Sequence, residues 1–574
     1  MRVSVQAEAC STFATSLHNI ELVFHMQLNR RGFLATPALA LQTSKISRRP
    51  PNVLILITDD QGYGDLSLHG NPHLKTPHLD SIGQQGAQFT QFQVCPVCSP
   101  TRASLMTGRY NYRTGVVDTF LGRSMMYPDE VTMAEYLGKA GYRTGIFGKW
   151  HLGDNYPLRA IEHGFEEALV CKGGGVGQPS DPPGNTYFDP ILHHNGKEEK
   201  YSGYCTDIFF RQAMAFIEKN RRNPWFVYLP TNAPHDPLQI EEKYVEPFRG
   251  KGLDEPTAKT YGMVANIDEN VGRLIAKLRA MDLEQDTILI YVTDNGPQRD
   301  RYNAGMRGRK GTVYQGGIRV PFFLRYPRLV QADTKIDRSA AHIDVLPTIL
   351  EACGVNKTTG PKMDGRSLMP LLRRESASWT DRTLFTQWHR GDVPELFRSC
   401  AARTQQYKMV NGKELYDLSA DPAEKNEISE ERPEIAARLR KETEAWYKDV
   451  SSTRGYAPPR IHVGTPHESP TVLTRQDWRG EKAGWEPASI GHWEVHVSKG
   501  GKYQVTARLA RPLQAEGAAR LSFGKTEERK AVTGGDSRCV FEGVTLEPGP
   551  ARVEVVLESG GGLVGPLYLD VKKS

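Results

Sequence analysis

The stretch "NVLILIT", residues 52–58, is an uncharged and almost wholly apolar run, preceded by Pro50-Pro51 and closed by Asp59-Asp60. A short continuous apolar run between such breakers predicts a strand buried on both faces, the kind found in a parallel or mixed sheet covered by helices. Four more runs read the same way: "RTGIFG" (143–148), "PWFVYLP" (224–230), "TILIYVT" (287–293) and "VPFFLRY" (320–326). Helical patterns lie between them. "TMAEYLGKAG" (132–141) ends in a glycine, and "TDIFFRQAMAFIEKN" (206–220) offers Thr206 or Asp207 as its cap. "YGMVANIDENVGRLIAKLRAMD" (261–282) carries Val264, Ile267, Val271, Leu274 and Leu278 at helical spacing. Strands alternating with helices predict an α/β domain.

The chain has 574 residues, room for that domain and one or two smaller ones. From about residue 380 the pattern changes: "KELYDLSADPAEKNEIS" (413–429) reads as a strand entering a polar turn, and "RPEIAARLRKETEAWYKDV" (432–450) as an amphipathic helix with proline near its start. The expected organisation is an α/β domain over 51–379, a small α+β subdomain over 380–450, a linker over 451–482 and an all-β sandwich-like module over 483–574. The module is expected from period-two alternation in "HWEVHVSKGGKYQVTARL" and "ARVEVVLES".

A net charge of +6 is too mild for its size to argue for nucleic acid, and no apolar run approaches the roughly 20 residues of a membrane span. Residues 1–50 read as an export signal with an N-terminal extension. Within them "MQLNRRGFLATPALALQTS" (Met26 to Ser44) has an arginine pair, Arg30-Arg31, then a short, weakly apolar run ending in Ala-x-Ala, as in a twin-arginine signal. The expectation is export to the periplasm or the extracellular space, with translation starting at Met26. The eight cysteines are scattered and do not make a disulfide framework.

Polar residues gather at or just beyond the C-terminal ends of the expected strands. Asp59 and Asp60 follow the first, Lys149 and His151 the second, His235 the third, Asp294 and Asn295 the fourth. Open α/β sheets bind ligands at that edge. Any one of these residues alone could be a turn or a cap, but four strands converging predict a shared site. Three carboxylates and an amide are hard oxygen donors, and the carboxylates repel one another without a cation, which selects Ca2+ or Mg2+ rather than zinc. In "QVCPVCSPTRASLMTGR" (93–109), Ser99 suits an N-cap and Pro100 the first turn of a short helix ended by Gly108. Cys98 then lies at a helix N-terminus, which favours an anion, with Arg102 one turn on. A thiolate is a soft ligand beside hard donors, so cysteine makes sense there once oxygen replaces its sulfur. The competing reading takes Cys95 and Cys98 as a C-x-x-C redox dithiol.

Cys98-Ser99-Pro100-Thr101-Arg102 matches the C-x-P-x-R signature of the sulfatases. "PNVLILITDDQGYGD", "GIFGKWHLG", "NAPHDP", "TDNG" and "GRKGTVYQGGIRVPF" also match that family in order, and the resemblance covers roughly residues 51–450. It implies an alkaline-phosphatase-like α/β/α sandwich with a smaller C-terminal subdomain. It also implies that a formylglycine-generating maturation enzyme oxidises Cys98 to formylglycine, whose hydrate is nucleophile and metal ligand. Asp59, Asp60, Asp294 and Asn295 would complete a calcium site, with Mg2+ the lesser alternative. Arg102 would stabilise the hydrate, and Lys149 and Lys310 would hold the sulfate oxygens. His235 would protonate the leaving oxygen, a role Lys310 could share, and His151 would deprotonate the second hydroxyl. Cys95 has no duty on this reading. Thr101 and Gln315 depart from the residues commonest at their positions, without touching the chemistry.

The resemblance thus implies a sulfuric ester hydrolase acting on a sulfated small molecule or saccharide. Its rivals are a phosphonate or phosphate monoesterase of the same superfamily and an unmatured glycan-binding protein. Flanking cations suit transfer of an anionic sulfuryl group as they do phosphoryl transfer. His194 and His389 are candidates for the pocket lining with no support of their own. Trp485 and Trp493, in the β module, either stack on sugar rings or pack in its core.

Overall fold

The computed structural model describes residues 49–356, 360–375 and 379–574. The expected export signal and its arginine pair lie outside them. A ten-stranded mixed sheet forms the centre. Its middle strands, Thr287–Thr293, Asn52–Thr58, Trp225–Pro230 and Arg143–Lys149, lie side by side and parallel. Phe322–Arg325 adds antiparallel on one side, and Glu167–Cys171 adds parallel on the other.

Every residue of Asn52–Thr58 is buried because helices cover both faces. Alternate side chains point to opposite layers. Val53, Ile55 and Ile57 join a core with the helices Cys98–Thr107, Met133–Lys139 and Val345–Ala352. Leu54 and Leu56 join another with Pro77–Gln84, Cys205–Lys219 and Glu255–Ala280. This is an α/β/α sandwich, as expected.

Two expected caps differ. Helix Cys98–Thr107 is capped by Val97, one residue before Cys98, and Ser99 lies inside its first turn. Cys98 is thus the first helical residue, and its Sγ reaches Asp59, just beyond the end of the first strand (3.3 Å). Helix Cys205–Lys219 is capped by Tyr204; Asp207 instead accepts hydrogen bonds from Asn266 (2.9 Å) and Asn270 (2.6 Å) of helix Glu255–Ala280. A tertiary partner takes the side chain that local chemistry would have assigned to a cap.

Beyond the sandwich, the strands Leu384–Gln387, Cys400–Arg403, Tyr407–Val410 and Glu414–Asp417 form an antiparallel sheet backed by helix Pro433–Ser451. The stretch read as a linker over 451–482 contains two strands. Ile461–Val463 pairs with His492–Val497, and Thr471–Thr474 pairs with Tyr568–Lys573. The all-β module therefore begins near residue 461 rather than at 483, and its two sheets enclose a core that also takes in Leu121, Met125 and Leu158 of the sandwich. Short strands in a Pro- and Thr-rich context hide from period-two analysis because their partners are remote in sequence.

Candidate active site

The first strand ends at Thr58, and the chain turns at Asp60 with a left-handed φ of 61°. The Asp59 backbone N–H bonds the Ala233 carbonyl (3.2 Å), and the Asp294 N–H bonds that of Thr58 (3.1 Å). These bonds tie three strand ends together, so the carboxylates after them meet. Oxygens of Asp59, Asp60 and Asp294 and the sulfur of Cys98 all lie within 4.8 Å of one another. Asn295 donates to Asp60 Oδ1 (2.8 Å), while its own Oδ1 is buried without a partner.

Cations surround the acids. Arg102 reaches Asp294 Oδ2 through Nε (3.1 Å) and Nη2 (2.7 Å), and its Nη1 donates to the Lys149 carbonyl (3.1 Å). Lys149 Nζ lies 2.6 Å from Asp59 Oδ2, and Lys310 Nζ 2.7 Å from Asp60 Oδ1. Cys98 Sγ donates to Asp59 Oδ1 at 3.3 Å. Lys310 is brought in by a close backbone crossing: the Gly296 N–H bonds the Gly317 carbonyl (2.9 Å), and a Cβ on Gly296 would sit 1.9 Å from the Gly316 oxygen.

Burial sets the protonation of each group, and the neighbouring charges then correct it. Burial, with Asp294 and Asp59 beside it, raises the Cys98 thiol well above its ordinary value, so the sulfur is no thiolate nucleophile. Burial and Asp59 push Asp294 up to about 6 in spite of Arg102. Burial would raise Asp60 as well, but Lys310, His235 and Asn295 outweigh it and hold the carboxyl below the usual range. Burial works against the charges of Lys149 and Lys310; Asp59 and Asp60 respectively reverse it and raise both.

The two histidines differ in tautomer. His151 Nε2 lies 2.7 Å from the Thr119 carbonyl, so it carries the proton, and Nδ1 is left buried and unpartnered. Burial, then Lys149, drives its pKa well below normal. The neutral imidazole lines the cavity with one nitrogen unpartnered, so it can accept a proton, although its burial makes it a weak base. In His235 the Nδ1 proton goes to the Asp236 carbonyl (2.7 Å), leaving Nε2 at 3.7 Å from Asp60. Burial lowers His235 to about 4.

All ten residues singled out in the sequence therefore lie around one centre. A cavity of about 350 Å3 opens over it, lined among others by Cys98, His151, His235 and Lys310. His389 is not free to face it: Nδ1 bonds the Arg390 carbonyl (2.8 Å) and Nε2 accepts from the Glu395 N–H (3.0 Å). His194 pairs with Glu199 (3.1 Å) outside the cavity. Trp493 is packing, buried in the module core with Nε1 on the Thr474 carbonyl (2.7 Å). Four cavity residues carried no local signal or an undecided one: Phe120, Trp388, Arg390 and Trp485. Cys95 points away, with Sγ 3.4 Å from His342 Nε2, and the cysteines of the described residues are all unpaired.

Three carboxylates with one orphaned amide oxygen fit a hard divalent cation, because each donor is an oxygen and the acids otherwise need three protein cations to coexist.

The family model described as Sulfatase matches residues 51–355, and that described as N-sulphoglucosamine sulphohydrolase, C-terminal, matches residues 309–449. Human N-acetylgalactosamine-6-sulfatase is 30% identical over 378 residues, which cover 60% of this chain and 69% of the relative. Human arylsulfatase A is 29% identical over 472 residues, 73% of this chain and 87% of the relative. The crystal structure of Ps i-CgsB in complex with k-i-k-neocarrahexaose superposes with a TM-score of 0.65 at 27% identity, covering 71% of this chain and 95% of that one. With its fold, its site and these similarities, the chain belongs to the sulfatase family and is a sulfuric ester hydrolase.

Proposed function

We propose that this protein hydrolyses sulfate monoesters of carbohydrates, using a formylglycine made from Cys98 beside a calcium ion. The observation that carries this reading is the placement of Cys98. Its sulfur touches Asp59 in a cluster of hard donors, protonated and unsuited to either attack or ligation. A saccharide substrate is supported by the similarity to the carrahexaose-bound structure.

Asp59, Asp60, Asp294 and Asn295 would hold the calcium ion, which when bound supplies positive charge that polarises the sulfate ester. The hydrated aldehyde made from Cys98 would supply the attacking oxygen and a second hydroxyl whose proton must be removed for sulfate to leave. Lys149 and Lys310 bind and orient the sulfate oxygens, and Arg102 keeps residue 98 and Asp294 in register. His151 Nδ1 receives the proton of the second hydroxyl. The leaving oxygen takes its proton from the His235–Lys310 side; Lys310 is the member that holds a proton at rest, since burial keeps His235 neutral. The same reading includes export by the twin-arginine route, which N-terminal sequencing of the mature protein would check.

The test is mass spectrometry of the peptide containing residue 98 in active protein, together with sulfate release from defined sulfated saccharides. The expected result is a mass lowered by conversion of thiol to aldehyde, turnover abolished by Cys98→Ala, and activity lost on calcium chelation and restored by calcium. An intact thiol in fully active protein refutes the assignment.

A further inference from the structure

The cavity over Cys98 is completed by a residue from outside the matched family regions. Trp485 belongs to the C-terminal β module, beyond residue 449, yet it lines the cavity with Phe120, Trp388 and Arg390. Its ring meets Phe120 edge-on, with centroids 5.3 Å apart. The Arg390 guanidinium lies over Phe120 at 4.4 Å and over Trp388 at 5.3 Å. Aromatic faces next to one guanidinium suit a flat apolar face of a sugar carrying a negative group.

The wall is held from both sides. Asp118, fully buried, accepts from Trp388 Nε1 (2.9 Å) and Arg390 Nη1 (3.1 Å). Gln476 of the module donates to the Thr119 carbonyl (2.9 Å), the same oxygen that fixes His151. Leu121 and Met125 sit in the module's apolar core beside Trp485. Charge is left over on this wall: Arg123, Arg390 and Arg479 share the two carboxylates of Asp118 and Asp392. The Arg390 side chain is 56% exposed, so its charge faces solvent rather than the core.

We propose that Trp485, Phe120, Trp388 and Arg390 form a saccharide subsite that takes a sugar bearing a second anionic group, a carboxylate or a second sulfate, in addition to the sulfate over Cys98. This rests on the sulfatase reading for the identity of the reacting group. The β module is then part of the substrate site, not an appendage.

The test is calorimetric binding to the Cys98→Ala protein, which needs neither maturation nor turnover. The probes are inorganic sulfate, a monosulfated disaccharide, its disulfated form and its uronate-containing form. Trp485→Ala is expected to weaken all three disaccharides about tenfold relative to inorganic sulfate, as for loss of an aromatic anchor. Trp485→Phe is expected to keep most of that preference, which separates a lost ring from a lost fold. Arg390→Gln is expected to remove the advantage of the doubly charged disaccharides, about tenfold, and the two forms show whether it comes from sulfate or carboxylate. Unchanged disaccharide binding in Trp485→Ala, a proportional loss of inorganic sulfate, or a second-anion advantage that survives Arg390→Gln overturns the subsite. If these differences hold but matured protein releases no sulfate from any probe, the subsite stands and the sulfatase mechanism falls.

Discussion

His151 can serve the proposed role of base only through Nδ1, because its other nitrogen is occupied. The Thr119 carbonyl takes the Nε2 proton, and the unpartnered Nδ1 is what can accept one. Replacing it with alanine is expected to lower steady-state turnover by about 10²–10⁴. Rapid-mix kinetics should show one equivalent of alcohol released per protein without matching sulfate; equal release of both would remove His151 from that step. Cys95 shows the opposite case, a reactive type used for packing. It meets His342, whose Nδ1 donates to the Gln93 carbonyl (3.1 Å) and which burial lowers to about 4. The folded-state pKa is below the unfolded value near 6.5, so between pH 6.5 and 4 the unfolded chain binds more protons. Stability is therefore expected to fall as pH drops through that window, and urea unfolding of His342→Gln should show a flatter slope there than the parent.

The small antiparallel sheet does more than cover an end of the sandwich. Lys408, on strand Tyr407–Val410, pairs with Glu424 at 2.6 Å, both side chains fully buried. The other oxygen of Glu424 accepts the Gln315 N–H (2.6 Å), in the segment that presents Lys310 to the site. Removing one partner of a buried pair leaves an uncompensated charge and costs about 3–5 kcal/mol. Lys408→Met is expected to lower stability by that order in denaturant titration, while the double variant Lys408→Met with Glu424→Gln should recover part of it. An unchanged unfolding midpoint in the single variant would show that the pair carries no stability. The helices repeat the same lesson. Helix Cys98–Thr107 is capped two residues earlier than its serine suggested, at Val97, which makes Cys98 rather than Pro100 its first residue.

Across the molecule, the β module and the sandwich are joined by one apolar core. Leu121, Met125 and Leu158 of the sandwich are buried with Trp478, Trp493 and Leu473 of the module. Each of those side chains contributes about 1.5–3 kcal/mol by being covered. A chain ending at residue 459 would expose all three and remove the hydrogen bond that Gln476 gives the Thr119 carbonyl. It is expected to bind an apolar dye, melt at lower temperature and lose saccharide turnover. A truncated protein that melts and turns over like the full chain would show that the module is independent.

The central strands, the α/β class and the ten polar residues were legible because each is local. A buried strand needs a continuous apolar run, and the residues after it fall at the ligand edge whatever the rest of the chain does. The C-x-P-x-R run and its companion motifs are likewise contiguous in the chain. The two short strands before residue 475, the true helix caps and the identity of the cavity wall were not legible, because remote partners choose them. Phe120 and Trp388 are ordinary core-type residues until Asp118 and Arg390 turn them toward the cavity. Trp485 could equally pack or bind until folding carried it across some 360 residues to stand against Phe120. Local pattern along the chain determines which polar residues reach the ligand edge of the sheet, whereas long-range packing decides what surrounds them, since contact energies between distant segments leave no trace in local pattern.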